Sequence, residues 1–123
     1  MRILLVLMMA ASVVGCTRWA MNQHLNNAYY AYDKGDCDRV MIELSKVDRD
    51  SRARRYIQPE VSMLRGQCLE RQKLFLDAAQ TYQYILAQHP SSEYAYRARA
   101  RLETLQQLGY LRAMPAQPKP APL

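Results

Sequence analysis

Apolar residues recur at helical spacing along most of this chain, and almost nothing in it favours a strand. The pattern predicts an all-α fold with five helices. We expect them at about Trp19–Lys34, Asp36–Asp48, Pro59–Gln72 and Leu74–Gln88, and from a cap at Ser91 or Ser92 to about Leu108. Gly35 and Gly109 suit the left-handed conformation that ends a helix, whereas Pro59 suits the first turn of one.

The first fifteen residues follow a different pattern. A positive start at Arg2 precedes an apolar stretch from Ile3 to Val14, which is broken only by Ser12. As a helix, this stretch spans roughly 18 Å, which is too short for a hydrocarbon core of about 30 Å. Because it closes on the box Val-Val-Gly-Cys at residues 13–16, the segment resembles a bacterial lipoprotein signal peptide.

This resemblance implies that residues 1–15 are removed and that Cys16 becomes the acylated first residue of the mature protein. Two or three acyl chains anchor a protein firmly in a membrane. Thr17 stands where an aspartate favours the inner membrane of a Gram-negative bacterium, so the resemblance implies the outer membrane, facing the periplasm. The alternative is a plain secretory peptide that is cleaved nearby and leaves Cys16 as an ordinary thiol.

The remainder divides into one small domain, residues 16–112, and a tail, residues 113–123. Prolines in the tail favour polyproline II, so we expect a disordered end. A net charge of +6 would suggest nucleic acid in the cytoplasm, but a periplasmic address argues against that partner. Anionic lipid head groups, glycans or an acidic protein face are then the candidate partners. The alternative is a basic surface that is merely solvated.

Four positions in the second half have the spacing of a known helical repeat. Gly66, Ala78, Tyr82 and Pro90 lie at offsets of 0, 12, 16 and 24 within a 34-residue unit, residues 59–92. This arrangement is similar to the tetratricopeptide repeat. In that repeat the small residue at Gly66 lets two helices approach and Ala78 sits opposite it. Tyr82 then fills the next gap, and Pro90 ends the second helix.

A weaker copy lies 38 residues upstream, where Gly35 aligns with Lys73 and Ala28 takes the place of Gly66. It departs from the pattern, because Val40 replaces the usual alanine and no proline ends it. The segment from Tyr82 to Leu105, with the run His-Pro-Ser-Ser-Glu-Tyr-Ala-Tyr-Arg-Ala, resembles repeats of BamD-type and CpoB-type envelope proteins. The two copies together imply about two helix hairpins plus a C-terminal capping helix. Two repeats are fewer than the usual three, so a disulfide, a partner or self-association is expected to help.

The resemblance also bears on the cysteines. Stacked repeats pack the second helix of one unit antiparallel to the first helix of the next, which implies that Cys37 lies close to Cys68. In the oxidising periplasm these two cysteines are expected to form a disulfide. The alternative is two buried thiols that act as small hydrophobic side chains.

By analogy with the family, a concave groove is expected to bind a partner protein. Its candidate residues are Tyr29, Met63, Gln67, Arg97 and Arg101. A second candidate surface is the densest basic cluster, which comprises Arg49, Arg52, Arg54 and Arg55. Each of these residues has a plainer alternative, as packing or as solvated surface.

No catalytic constellation, glycine-rich phosphate loop or metal-ligand spacing occurs in the sequence, and both histidines are isolated. We therefore expect no enzyme and no cofactor other than the lipid on Cys16. The sequence favours an outer-membrane lipoprotein that acts as an adaptor between proteins of an envelope assembly or secretion machine. The runner-up is a structural lipoprotein that binds anionic glycan or lipid through its basic surface.

Overall fold

The structure, a computed structural model, describes residues 1–52 and 54–112, and for residues 2 and 10–14 it describes the backbone alone. Within these residues the protein is all-α, as predicted. Its helices are α1 (Arg2–Asp33), α2 (Cys37–Asp50), α3 (Gln58–Arg71), α4 (Phe75–Gln88) and α5 (Glu93–Gln107), with a single 3-10 turn at Arg55–Ile57. The predicted tail, residues 113–123, lies outside the described residues.

The helix boundaries agree with the predicted ones to within about two residues, except at the start of α1. This helix begins at Arg2 and not near Trp19, so the predicted start was wrong. The apolar segment before Cys16 contains no proline and a single glycine, Gly15, and it therefore continues as a helix into the folded part.

Three helices, α1, α3 and α5, end in the same way. Each is followed by a residue in the left-handed conformation: Gly35 at φ 77°, Lys73 at 62° and Gly109 at 80°. The amide of the next residue bonds to the carbonyl five positions earlier at 2.9–3.0 Å, which is the Schellman arrangement. Lysine carries a steric cost in this conformation that glycine avoids, so the helices on either side must hold the turn at Lys73 in place.

The predicted 38-residue repeat is present in the backbone. Gly35 and Lys73 are 38 residues apart, and the same interval separates the start of α2 at Cys37 from the start of α4 at Phe75. The pairs α1–α2 and α3–α4 each form a hairpin across a three-residue turn. α5 follows as a fifth helix and packs against α4 and α3. The all-α hairpin fold is therefore confirmed.

α3 lies at the centre of the molecule, because two of its sides are buried. On one side Val61, Leu64 and Cys68 join the apolar cluster formed with α1 and α2. On another side Met63 joins the cluster formed with α4 and α5. The two hairpins and α5 are thus joined into one continuous stack through α3.

Close packing inside the second hairpin depends on Gly66. A Cβ added to this residue would lie 2.4 Å from Cε1 of Tyr82, and the three nearest heavy atoms all belong to the Tyr82 ring. Tyr82 is fully buried, as is Ala78. The tyrosine ring, more than Ala78, therefore occupies the space that the missing side chain leaves.

A disulfide joins the two hairpins. Cys37, the first residue of α2, is bonded to Cys68 of α3, and their Cα atoms are 5.4 Å apart. This separation is typical of disulfides. Both residues are buried in the first apolar cluster, so the predicted pair lies where the resemblance placed it.

Replacing Gly66 with alanine is expected to lower the free energy of unfolding by about 1–3 kcal/mol, because the new methyl group meets the Tyr82 ring. Urea unfolding followed by circular dichroism measures the change. In a Tyr82→Ala background the same substitution should be neutral or stabilising, since alanine favours a helix. Equal destabilisation in both backgrounds would contradict the steric explanation.

Loss of the disulfide is expected to lower the free energy of unfolding by about 3–4 kcal/mol, because the bond spans 31 residues of the unfolded chain. Thermal unfolding of the Cys37→Ser/Cys68→Ser variant tests this. Cys16→Ser, which removes an exposed thiol, is the control and should change little. Alkylation of both Cys37 and Cys68 in the denatured but unreduced protein would show that the bond does not form.

Candidate functional site

Three helices, α1, α3 and α5, lie side by side and bring polar side chains to one surface. Tyr29 of α1 donates its Oη hydrogen to Oε1 of Glu60 in α3 at 2.7 Å. Arg101 of α5 donates two hydrogen bonds to the carboxylate of Glu70 in α3. We call this surface the groove face and define it by Tyr29, Tyr32, Glu60, Gln67, Glu70, Arg71, Tyr94, Arg97 and Arg101.

The carboxylate of Glu70 connects α3, α4 and α5. Its Oε1 accepts hydrogen bonds from Tyr82 Oη at 2.6 Å and from Arg101 Nε at 2.9 Å, and the side chain is 12% exposed. Burial by itself raises the pKa of Glu70, but the hydrogen bonds from Arg101 and Tyr82 outweigh it and lower the pKa. Burial and the bond to Glu70 raise the pKa of Tyr82. At neutral pH the site therefore pairs a carboxylate with a neutral tyrosine and a guanidinium.

Tyr29 interacts electrostatically with residues of α5. Burial, followed by the hydrogen bond to Glu60, raises the pKa of Tyr29, while the positive charge of Arg97 acts in the opposite direction. Cζ of Arg97 lies 5.4 Å from the centre of the Tyr94 ring. Burial also raises the pKa of Tyr94. Both tyrosines therefore remain neutral hydrogen-bonding groups on this face.

A pocket of about 330 Å³ opens on the groove face, lined by Tyr32, Gln67, Glu70, Arg71 and Arg101. Cζ of Arg71 lies 3.5 Å from the centre of the Tyr32 ring, and Arg71 also donates a hydrogen bond to the Tyr32 carbonyl oxygen. Arginine and tyrosine are frequent anchors in protein interfaces. The charged lining suits a polar group of a partner protein better than an apolar ligand.

The predicted groove residues have different positions. Tyr29 and Arg97 lie exposed on the groove face, and Gln67 and Arg101 line its pocket. Met63 is 4% exposed and packs in the cluster with α4 and α5, which corrects its assignment as a partner contact. The reason is that α3 is buried on two sides, so a position between two groove residues in sequence can still face the core.

The sequence did not predict the acidic residues that organise this face. Glu60 and Glu70 belong to no motif, and each acquires its role from a tyrosine or arginine that lies 31 residues away in the chain. Sequence spacing contains no signal for such a contact, because it depends on how α1, α3 and α5 pack.

A second buried carboxylate, Glu43, was also missed. It is 4% exposed, lies 2.7 Å from Nδ1 of His24 in α1 and accepts a hydrogen bond from Lys46 Nζ at 3.0 Å. Burial by itself raises the pKa of Glu43, but the bonds from Lys46 and His24 outweigh it and lower the pKa. Its burial could have been predicted from the sequence, because Glu43 directly precedes Leu44, which belongs to the apolar line of α2. This cluster joins α1 to α2 and lies apart from the groove face.

Another pocket, of about 410 Å³, opens on the opposite side of α3, toward α4. Its lining residues are Gln58, Ser62, Arg65, Asp77, Gln80, Thr81 and Tyr84. Arg65 forms an ion pair with Asp48 of α2 at 2.7 Å. No residue predicted to bind a partner lies in this pocket.

The basic residues Arg52, Arg54 and Arg55 occupy the connection between α2 and α3 and do not belong to the groove face. Arg54 contacts the start of the domain instead, where its Nη2 donates to Oγ1 of Thr17 at 3.4 Å. The neighbouring Cys16 is exposed and has a free thiol.

No three histidine, cysteine, aspartate or glutamate side chains in the described part of the chain are grouped so that they could hold a metal ion. Across the same residues, no helix combines the length and the hydrophobicity that crossing a membrane requires. Comparison with protein-family models, with curated proteins and with solved structures finds no match to this chain. A function must therefore be argued from the residues themselves.

Replacing Glu70 with glutamine is expected to lower the free energy of unfolding at neutral pH by about 1.5–3 kcal/mol, because hydrogen bonds to an ionised partner are lost. The pKa of Glu70 is lowered by folding, so its contribution is fully present above the unfolded value, about 4.3, and is lost as the pH falls through the folded value. The difference between wild type and variant should therefore shrink on acidification.

Thermal unfolding at neutral and acidic pH measures this difference. Glu103→Gln, which changes an exposed carboxylate of α5, is the matched control and should have little effect at either pH. A wild-type advantage over Glu70→Gln that is the same at both pH values would contradict the assigned ion pair.

Proposed function

We propose that the protein is an outer-membrane lipoprotein, facing the periplasm, that acts as an adaptor in an envelope assembly or secretion machine. The adaptor role is supported above all by the convergence of Tyr29, Gln67, Arg97 and Arg101 from three helices on one face. The resemblance to tetratricopeptide repeats assigns partner binding to the same face, where the first helix of each unit lies. We propose no catalytic step for the protein.

The groove face is held in shape before any partner arrives. Glu60 fixes Tyr29, and Glu70 fixes Arg101, each through hydrogen bonds of 2.9 Å or less. A surface that is already ordered loses little conformational freedom on binding, which favours affinity. The Arg97 guanidinium is exposed, with a long 4.0 Å ion pair to Glu93 and the Tyr94 ring centre 5.4 Å away, so it can still bind a partner.

The lipid anchor is supported by a contrast in side-chain exposure between the two halves of α1. Side chains of the segment Ile3–Met9 are between 61% and 77% exposed, whereas Met21 is 1% exposed. An apolar surface of this extent is unfavourable in water. Removal of residues 1–15 by a signal peptidase would eliminate it, and the exposed thiol of Cys16 is accessible for acylation.

The second candidate is a structural lipoprotein that binds anionic glycan or lipid through Arg52, Arg54 and Arg55, and it is supported by the position of these residues outside the groove face. Binding by that surface would weaken steeply with added salt, since exposed charges are screened. It would also tolerate substitutions on the groove face, so the two candidates can be separated by experiment.

Affinity purification of the lipid-anchored protein from crosslinked cells is expected to recover one envelope complex in stoichiometric amounts. Cys16→Ala should weaken or abolish the recovery, because the unanchored chain no longer resides at the membrane. Arg97→Ala should reduce it by about fivefold or more, since loss of an interface anchor typically costs over 1 kcal/mol.

Arg99→Ala is the matched control for Arg97→Ala, because it removes an exposed arginine from the same helix outside the groove face. It should leave recovery unchanged. Recovery of lipid or glycan alone, or of nothing above background, contradicts the adaptor role.

A further inference from the structure

The end of the domain that carries Cys16 is strongly basic. Two segments lie at this end, residues 16–20 and residues 48–56. Their acidic residues are Asp48 and Asp50. The arginines of these segments, which we call the basic end, are Arg18, Arg49, Arg52, Arg54 and Arg55. The turns at the other end of the two hairpins, residues 33–39 and 71–77, contain four acidic and four basic residues. Among these four segments, the excess of positive charge therefore lies in the two beside Cys16.

Antiparallel packing places these arginines beside the anchor position. α2 runs back along α1, so its last turn and the connection to α3 lie beside the first packed residues of α1. The contact is direct, because Arg54 Nη2 donates a hydrogen bond to Thr17, the residue that follows Cys16. Arg54 Nη1 also donates to the carbonyl oxygen of Asp50 at 3.2 Å, which fixes the connection.

The path from Cys16 to the core is short and helical. Met21, which is 1% exposed, follows Cys16 by five residues in α1, which corresponds to about 7.5 Å along the helix axis. Salt screens surface charges over about 8–10 Å. A helical connection of this length keeps the basic end within that range of the membrane, whereas a long flexible linker would not.

Exposed aromatic residues accompany the arginines. Trp19 is 69% exposed and Tyr56 is 66% exposed. Tryptophan and tyrosine concentrate at the interface between a membrane and water, and the guanidinium fork binds phosphate through paired hydrogen bonds. Because acyl chains on Cys16 would bring lipid phosphates beside these side chains, the geometry favours a lipid surface over a second protein.

Two of the arginines have structural roles as well. Arg49 lies in the last turn of α2, where a positive charge is favourable, and Arg54 fixes the connection to α3. Arg18, Arg52 and Arg55 are exposed side chains of the same end, and the inference depends mainly on them.

We infer that the anchored domain rests its basic end on anionic phospholipid head groups of the membrane that holds Cys16. The domain then stands in a fixed orientation, with the turns at Gly35 and Lys73 away from the membrane. The groove face, which runs along α1, α3 and α5, stays open to the periplasm. This inference rests on the lipid anchor proposed above.

The test uses Trp19, which is the single tryptophan of the chain. The mature lipidated protein is reconstituted into vesicles of phosphatidylcholine alone or mixed with phosphatidylglycerol. With anionic lipid we expect the Trp19 emission to shift to shorter wavelength and its quenching by quencher-labelled lipids to increase. Both effects should be lost in concentrated salt, because screening weakens the attraction.

The Arg52→Glu/Arg55→Glu variant should show neither effect. Each arginine near an anionic surface contributes about a fivefold gain in association, so two reversals remove most of it. Arg39→Glu/Arg99→Glu carries the same change in net charge away from the basic end, and it should behave as the wild type does.

The mass of the mature protein separates the two proposals. Acyl chains on Cys16, together with Trp19 quenching that is equal on neutral and anionic vesicles, would overturn the orientation and leave the anchor intact. Absence of acyl chains would overturn the anchor itself and, with it, this orientation. A loss of quenching in both charge-reversed variants would show a response to net charge alone and would overturn the role of the basic end.

Discussion

The last six residues of α3 hold all the other helices of the fold in position. Gly66 receives the Tyr82 ring of α4, Cys68 is bonded to Cys37 of α2, Glu70 pairs with Arg101 of α5, and Arg71 contacts Tyr32 of α1. A chain with few repeats has little apolar core to share, so each of these contacts matters more than it would in a long array. The packing around this segment of α3 therefore sets the relative positions of the hairpins and α5.

The same contacts that stabilise the fold also shape the groove face. Glu70 links α3 to α5 and at the same time orients Arg101 at the rim of the pocket. A substitution at Arg101 or Tyr29 would therefore change both stability and the proposed binding surface. Arg97, whose ion pair is exposed and long, offers a cleaner test of binding.

Features of the fold that depend on neighbouring residues were predictable. Gly35 and Gly109 follow helix ends, and Ser92 caps the start of α5, as the sequence predicted. Such turn and cap preferences depend on residues only a few positions apart. Gly66 was predicted through the repeat spacing as a position of close helix approach opposite Ala78, whereas in the structure the Tyr82 ring fills the space beside it. Lys73 was predicted as the counterpart of Gly35, although its left-handed conformation is held by the packed hairpin and not by its own preference.

The sequence by itself determined the helices after Gly35, their hairpin pairing and the contrast between an apolar start and a polar domain, and the resemblance to a helical repeat implied the cysteine pair. Tertiary structure decided that Met63 faces the core, that Glu60 and Glu70 organise the groove face, and that Arg54 lies beside Thr17. Helix formation and capping follow from interactions between residues a few positions apart. The contacts Tyr29–Glu60, Glu70–Arg101 and Arg54–Thr17 join residues 31 or more positions apart, and they exist only once the helices have packed.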